Sequence, residues 1–314
     1  MNGRHIVVAG SLNMDVVSRV ERFPRPGETI RGTDALYSPG GKGANQAVAA
    51  ARSGAATVMV GAVGTDGFGQ QLLGALASDG ITVEGVGVKE GSSGIALVTV
   101  DGAGENQIVL CEGANGKVGE EELRQFEQLM SSGAAVLLQN EIPWEANAAL
   151  MKLASQAGVP VLYNPAPAAP VPDEVLPLLD TIVLNETETE TVTGIAPSDE
   201  TKLKEAAGHL LAKGVAAVLI TLGAAGSYYH DQSGTTVRMP ARQVSPVDTT
   251  AAGDTFIGAY AAVRYGGASS SQSPEEALSY ATAASALAVM KPGAQSSIPS
   301  RPEVVAWMKD EPTV

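Results

Sequence analysis

The stretch "PVDTTAAGDTFIGAYAAV", Pro246 to Val263, joins a turn-like segment to a strongly helical run. Three small residues, Ala251, Ala252 and Gly253, and one carboxylate, Asp254, stand where the helix begins. A helix start leaves backbone N–H groups without partners and carries the positive end of the helix dipole. Two readings fit. In one, Asp254 is a first-turn acid and Thr249 or Thr250 is the cap. In the other, the small residues let an anion approach bare N–H groups, and Asp254 waits beside it to take a proton. The rest of the chain decides between them.

Outward from this stretch, apolar runs alternate with alanine-rich helical runs. "HIVVAG" from His5, "TVMVGAVG" from Thr57, "AAVLLQ" from Ala134, "VPVLY" from Val159, "TIVLN" from Thr181 and "AAVLIT" from Ala216 read as buried strands. "GANQAVAAARSG" and "GQQLLGALASDG" read as helices ended by Gly54 and Gly80, and further helical runs begin at Trp144, Glu186 and Glu200. Such alternation predicts a parallel sheet with helices on both faces, in which ligands bind beyond the carboxyl ends of the strands. Two regions break the pattern. The segment from Asp15 to Gly41 has no helix signal, and "SGIALVTVDGAGENQIVLCEG" from Ser93 reads as a hairpin about a glycine-rich turn. Together they predict a small accessory sheet over about 14–39 and 92–112, serving as a flap over a ligand, an oligomer interface, or both. "GGASSSQSPEE", Gly266 to Glu276, reads as a surface loop before the last long helix.

Composition narrows the function classes. Across 314 residues, 20 Lys and Arg face 34 Asp and Glu, a formal charge of −14, which argues against a nucleic-acid or anionic-membrane partner. No apolar run is long enough for a membrane span or a signal peptide. The single cysteine, Cys111, rules out an intrachain disulfide, fits a reducing cytoplasm and reads as a buried apolar residue. There is no phosphate-binding G-x-x-x-x-G-K-[ST] loop, no zinc-spaced Cys/His cluster and no nucleophile elbow. "GGKGANQA" has Gln46 where a dinucleotide fingerprint needs its third glycine.

Polar clusters gather mostly just after predicted strands. Asn13 and Asp15 follow the first strand, and an extended chain would send them to the same side. "SPGGKGANQA" offers a backbone nest with Lys42 and Asn45 as side-chain donors. Glu141 follows "AAVLLQN". Asn185, Glu186 and Glu188 follow "TIVL", suiting either a helix start or a hydrated Mg²⁺. "TLGAAGSYY" supplies Gly223 and Gly226, which allow either a turn or backbone lying flat against a nucleotide.

These motifs resemble the two signatures of the ribokinase-like (PfkB) sugar kinases: "GGKGANQAVAAARSGA" the first, "DTTAAGDTFIGAY" the second. "NPAPA", "NETE", "TLGAAG" and "KPGAQSSIP" fall in the family's order, so the resemblance runs from about residue 5 to 300. It implies one α/β/α sandwich domain over 1–314, with a mostly parallel central sheet and a small β-sheet lid that often pairs two copies as a homodimer. It implies transfer of the ATP γ-phosphate to the O5 hydroxyl of D-ribose. Asn13, Asp15, Gly41, Lys42, Gly43, Ala44, Asn45 and Glu141 would bind the sugar. Asn185 and the loop Thr221, Leu222, Gly223, Ala224, Ala225, Gly226 would hold ATP, with Gly253 at the phosphates and Glu188 on Mg²⁺ through water. Ala251, Ala252 and Gly253 would form an anion hole, with Asp254 as base. A monovalent cation such as K⁺ would sit among Asp248, Thr250, Ala288, Lys291, Gly293 and Ser297. Thr282 departs from the histidine often found beside the adenine, and Lys291 stands where arginine is common. The same machinery would serve 2-deoxyribose, a ketohexose or a nucleoside. An inactive sugar-binding regulator would call for a broken Asp254 or anion hole, and both motifs are intact.

Overall fold

The computed structural model describes residues 4–266 and 272–310. In chain order the elements are β1 (His5–Ala9), β2 (Asn13–Arg19), β3 (Asp34–Gly40), α1 (Lys42–Arg52), β4 (Thr57–Gly64), α2 (Gly67–Ser78), β5 (Thr82–Lys89), β6 (Gly94–Val100), β7 (Asn106–Cys111) and α3 (Glu120–Leu129). Then come β8 (Gly133–Gln139), α4 (Trp144–Gln156), β9 (Val161–Asn164), β10 (Thr181–Leu184), α5 (Glu186–Thr193), α6 (Glu200–Ala212), β11 (Ala217–Thr221), β12 (Ser227–Asp231), β13 (Thr236–Met239), α7 (Ala252–Tyr265), α8 (Pro274–Val289) and α9 (Arg301–Asp310).

Nine strands form the central sheet in the order β13-β12-β11-β10-β9-β8-β1-β4-β5. All its pairings are parallel except those of the β11-β12-β13 meander. Strand β1 is apolar on both faces, as a parallel strand between two helix layers must be. Ile6 and Val8 join the layer of α1, α2, α7 and α8, while Val7 and Ala9 face α3, α4 and α6. The chain leaves β1 toward β4 and later returns on the other side through β8. The strand order therefore reverses between β1 and β8, where open α/β sheets leave a crevice for ligands.

The second sheet has four strands in the order β3-β2-β6-β7. The β6-β7 pair is the hairpin read from sequence. The run from Asp15 also holds β3, which leads directly into α1, so the glycine nest follows a strand of this sheet. Cys111 corrects its sequence reading: it is exposed, because it ends the edge strand β7, whose residues are all exposed. Residues 267–271 of the loop expected at Gly266 to Glu276 lie outside the described residues; α8 starts at Pro274, capped by Ser273.

Candidate active site

Helices α1 and α7 bring the site together. Their packing is close: a Cβ on Gly258 would collide with the Gln46 carbonyl. Helix α1 starts at Gly41, whose φ of 91° is accessible to glycine at little cost. Its first amides are engaged by the protein itself. Lys42 N–H donates to Glu141 Oε2 at 3.2 Å, Gly43 N–H to Ser11 Oγ at 3.4 Å, and Ala44 N–H to the Ser11 carbonyl at 2.9 Å.

Helix α7 starts differently. Its N-cap is Ala251 at φ 58°, ψ 13°, the one non-glycine residue with positive φ among the described residues. A left-handed alanine costs about 1–2 kcal/mol. Neither threonine caps the helix: Thr250 spends its N–H and its hydroxyl on Asp248 Oδ1, at 2.9 and 2.6 Å, and no side chain bonds the first turn. Ala252 N–H reaches the Thr249 carbonyl at 3.2 Å, but among the described residues no protein acceptor meets the N–H of Gly253 or Asp254. A Cβ on Gly253 would project into open space. The capping reading of Thr249 and Thr250 is thus set aside, and two bare amides face a cavity.

That cavity, of about 230 Å³, is lined by Lys42, Asn185, Glu188, Gly253 and Asp254 among others. A second, of about 370 Å³, adjoins it and shares Thr221, Thr249, Ala252 and Gly253. Its walls carry Gly223, Ala224, Gly226, Thr282 and Ala286. Thr282 is buried there with a hydroxyl that has no protein partner. Leu222 turns instead into the core, and Ala225 lies outside the lining. Gly43 and Ala44 likewise pack against Ser11 and line neither cavity.

Asp254 is buried, and each carboxylate oxygen accepts one amide: Oδ2 from Asn45 Nδ2 at 3.0 Å, Oδ1 from Gln46 Nε2 at 3.1 Å. Asn45 Oδ1 has no partner. On the far side, Glu141 Oε2 accepts from Ser11 Oγ at 2.5 Å and from Asn13 Nδ2 at 3.5 Å. Asn13 Oδ1 in turn accepts from Asn115 Nδ2 at 2.7 Å. Asp15 leans over Gly40, where a side chain would collide with its carboxylate. Burial first, then the charges of Glu141 and Asp254, push the Asp15 carboxyl up to about 7. Burial also raises Glu141 and Glu188. Lys42 sits amid these carboxylates, and Asp254 above all holds its ammonium more firmly protonated than usual. The result is a polar nest with one cation among four acids.

Asn185 and Glu188 form a capping box on α5: Asn185 Oδ1 accepts from Glu188 N–H at 2.8 Å, and Glu188 Oε2 accepts from Asn185 N–H at 2.9 Å. Glu188 Oε2 also accepts from Asn164 Nδ2 at 3.0 Å. Both readings of this cluster therefore meet in one pair, since the capped carboxylate still borders the cavity. Asp248 ties the α7 start to the loop after α8, its Oδ2 accepting from Gly293 N–H at 2.9 Å. Burial opposes ionisation there, yet the bonds from Thr250 and Gly293 hold the Asp248 carboxyl below its ordinary value. Lys291 N–H donates to the Ala288 carbonyl, and Ser297 Oγ to that of Ala294 at 2.8 Å. The Lys291 side chain pairs with Glu303, so only its backbone remains for this loop. Among the described residues no three His, Cys, Asp or Glu side chains form a metal cage. No described helix is long and apolar enough to cross a membrane.

Sequence reasoning did not single out Ser11, Asn115, Gln139 or Asn164, and Gln46 entered only as a misfit to a dinucleotide fingerprint. Asn115 follows the hairpin in "GANGK", and Asn164 opens the quoted "NPAPA". Neither segment says which distant backbone or amide it will meet.

Residues 4–301 match the pfkB family carbohydrate kinase pattern. A ribokinase of Schizosaccharomyces pombe is 42% identical over 96% of this chain and 96% of its own length. A ribokinase of Haemophilus influenzae is 39% identical over 97% and 98%. The solved structure of Arabidopsis thaliana ribokinase complexed with ribose and ATP superposes with a TM-score of 0.91, at 33% identity, over 98% of this chain and all of that one.

Proposed function

The chain belongs to the pfkB family of carbohydrate kinases, and we propose that it is an ATP-dependent ribose kinase, converting D-ribose to D-ribose 5-phosphate. One observation carries the mechanism: an open helix start, Gly253 and Asp254 with unengaged N–H groups, stands beside a buried carboxylate at the edge of two joined cavities. In this reading the adenosine occupies the larger cavity against Thr221, Gly223, Ala224, Gly226 and Thr282. Its phosphates extend along Gly253 into the smaller one. Ribose lies among Asn13, Asp15, Gly41, Lys42, Asn45 and Glu141, where the orphaned Asn45 Oδ1 awaits a hydroxyl.

Phosphoryl transfer asks the protein mainly for positioning and charge stabilisation. The O5 hydroxyl attacks the γ-phosphorus, and the bond from that phosphorus to the β-γ bridging oxygen breaks. The O5 proton passes to Asp254, and ADP leaves. Charge gathering on the γ-phosphoryl oxygens meets the amides of the α7 start and the Lys42 ammonium. Glu188 and Asn185 would hold Mg²⁺ through water, because both Glu188 oxygens already accept protein N–H groups. Bound there, the ion would neutralise phosphate charge. A monovalent cation, K⁺ in our reading, would take carbonyl and carboxylate oxygens from the Asp248–Thr250 and Ala288–Ser297 segments. The Asp248 bridge between those segments supports it.

The four-stranded sheet acts in this reading as a lid on the sugar and as a homodimer interface. Leu36, Tyr37, Leu97, Ile108 and Val109 are exposed on it, an apolar area that a partner sheet would cover. We place the protein in the cytoplasm, where the exposed Cys111 would stay reduced. The test is an ATP-dependent assay over ribose, 2-deoxyribose, a ketohexose and a nucleoside. Ribose should give the highest kcat/KM, and preference for another acceptor would overturn the assignment.

A further inference from the structure

Behind Asp254 lies a chain of buried amides that the reaction as written does not use. Gln46, on α1, donates Nε2–H to Asp254 Oδ1 at 3.1 Å and accepts at Oε1 from Gln139 Nε2 at 2.7 Å. Gln139 ends β8, and both glutamines are fully buried. Gly10 makes room for the relay, since a Cβ there would collide with Gln139 Oε1. That oxygen has no partner.

We propose that Gln46 and Gln139 form a positioning relay that fixes the Asp254 carboxylate for the proton it takes from the sugar. The inference rests on the reading of Asp254 as base. A glutamine amide has one donor end and one acceptor end. An ionised carboxylate offers only acceptors, so Gln46 must turn its NH₂ toward Asp254 and its carbonyl away. That carbonyl then needs a donor, and the Gln139 NH₂ supplies it. The relay thus has one polarity, set by the charge at its end. Asn45 holds the second carboxylate oxygen, so rotation about the Asp254 side chain is stopped from both sides. An apolar pair would fill this core without leaving Gln139 Oε1 unpartnered. Violations of local polar satisfaction concentrate at functional sites.

The experiment uses the whole chain with Gln46→Met, Gln139→Met, the double variant, and Asp254→Asn for reference. Methionine keeps the volume and removes the amide. Measured are kcat, KM for ribose and for ATP, and Tm. Gln46→Met should lower kcat about 10- to 100-fold, the range a misplaced reacting group costs, with both KM values within about two-fold. Gln139→Met should lower kcat less, again with KM unchanged. The double variant should match Gln46→Met within about two-fold, because residues acting in series do not multiply their losses. Unchanged kcat in Gln46→Met, or losses that multiply in the double variant, would overturn the relay. So would a fall in Tm or a rise in KM with kcat preserved. If Gln46→Met does not fold, Gln139→Met decides alone: reduced kcat at constant KM supports the relay, and unchanged kcat overturns it. A fully active Asp254→Asn would instead refute the base on which the inference rests, a failure distinct from that of the relay.

Discussion

Two helix starts face the same cleft and are finished in opposite ways. At α1, glycines allow close packing, and Glu141 and Ser11 take the first amides. At α7, a strained alanine turns the chain and the amides of Gly253 and Asp254 are left open beside a cavity. The first start is a scaffold that aims side chains: Lys42, Asn45 and Gln46 all project from it. The second is itself the binding surface. The difference shows why a helix N-terminus alone says little about function. What matters is whether the protein has already supplied the anion.

Substitutions at the open start should have the largest effect. Asp254→Asn keeps the shape but cannot take a proton, and its single oxygen can accept from only one of the two amides, Asn45 or Gln46. Its kcat should fall by about 10²–10⁴-fold, the usual worth of general-base assistance, while calorimetric affinities for ribose and ATP stay close to wild type. Near-normal turnover would reduce Asp254 to a first-turn acid and erase the contrast between the two starts.

The closed start is tested through the sugar. A carboxylate at Asp15 can accept from two neighbouring hydroxyls, so ribose should beat 2-deoxyribose. A polar site left unpaired costs about 1–3 kcal/mol, or roughly 5–150-fold in kcat/KM. Asp15→Ala should narrow that gap by lowering the ribose value far more than the deoxyribose value. Equal losses on both sugars would show that Asp15 does not read the 2-hydroxyl.

A smaller effect should link the starts to the loop behind α7. If a monovalent cation orders the Asp248–Thr250 turn, it aims the amides that follow. Turnover in K⁺ should then exceed that in Na⁺ or a bulky organic cation by several-fold at equal ionic strength. Equal rates in all three would remove the cation from the account.

The smallest effect concerns stability alone. The Asp15 carboxyl is pushed up to about 7 in the folded chain, by burial first and then by Glu141 and Asp254, whereas an unfolded aspartate titrates near ~3.9. The folded state binds this proton more tightly, so its contribution is full below about pH 4, falls as pH rises toward 7, and is flat above. Asp15→Asn should therefore melt a few degrees higher than wild type at pH 8, with the gap closing toward pH 4. Parallel melting curves across that window would show that the folded chain does not raise the Asp15 carboxyl.

Much of this was legible in the sequence, for physical reasons. Strands buried on both faces read as unbroken apolar runs such as "IVVAG", and parallel order follows from their alternation with helices. Small residues ahead of Asp254 marked an unusual helix start. Other features had no local signature. The left-handed turn at Ala251 looks like any alanine. The exposure of Cys111 depends on what lies beyond an edge strand. The partners of Gln46, Asn13 and Glu188 are Gln139, Asn115 and Asn164, brought in by other elements, two of them about 100 residues away. An amide gives no sign in sequence of which distant group it will meet.

The central claim is that the open start at α7, and not the closed one at α1, receives the transferring phosphoryl group. A crystal structure with ribose, ADP and a planar phosphoryl mimic such as tetrafluoroaluminate tests it most directly. The mimic's ligand atoms should lie within hydrogen-bond distance of the Gly253 and Asp254 N–H groups, with the ribose O5 between the mimic and the Asp254 carboxylate. A mimic bound instead at the Gly41–Asn45 start, or an O5 turned away from Asp254, would contradict it.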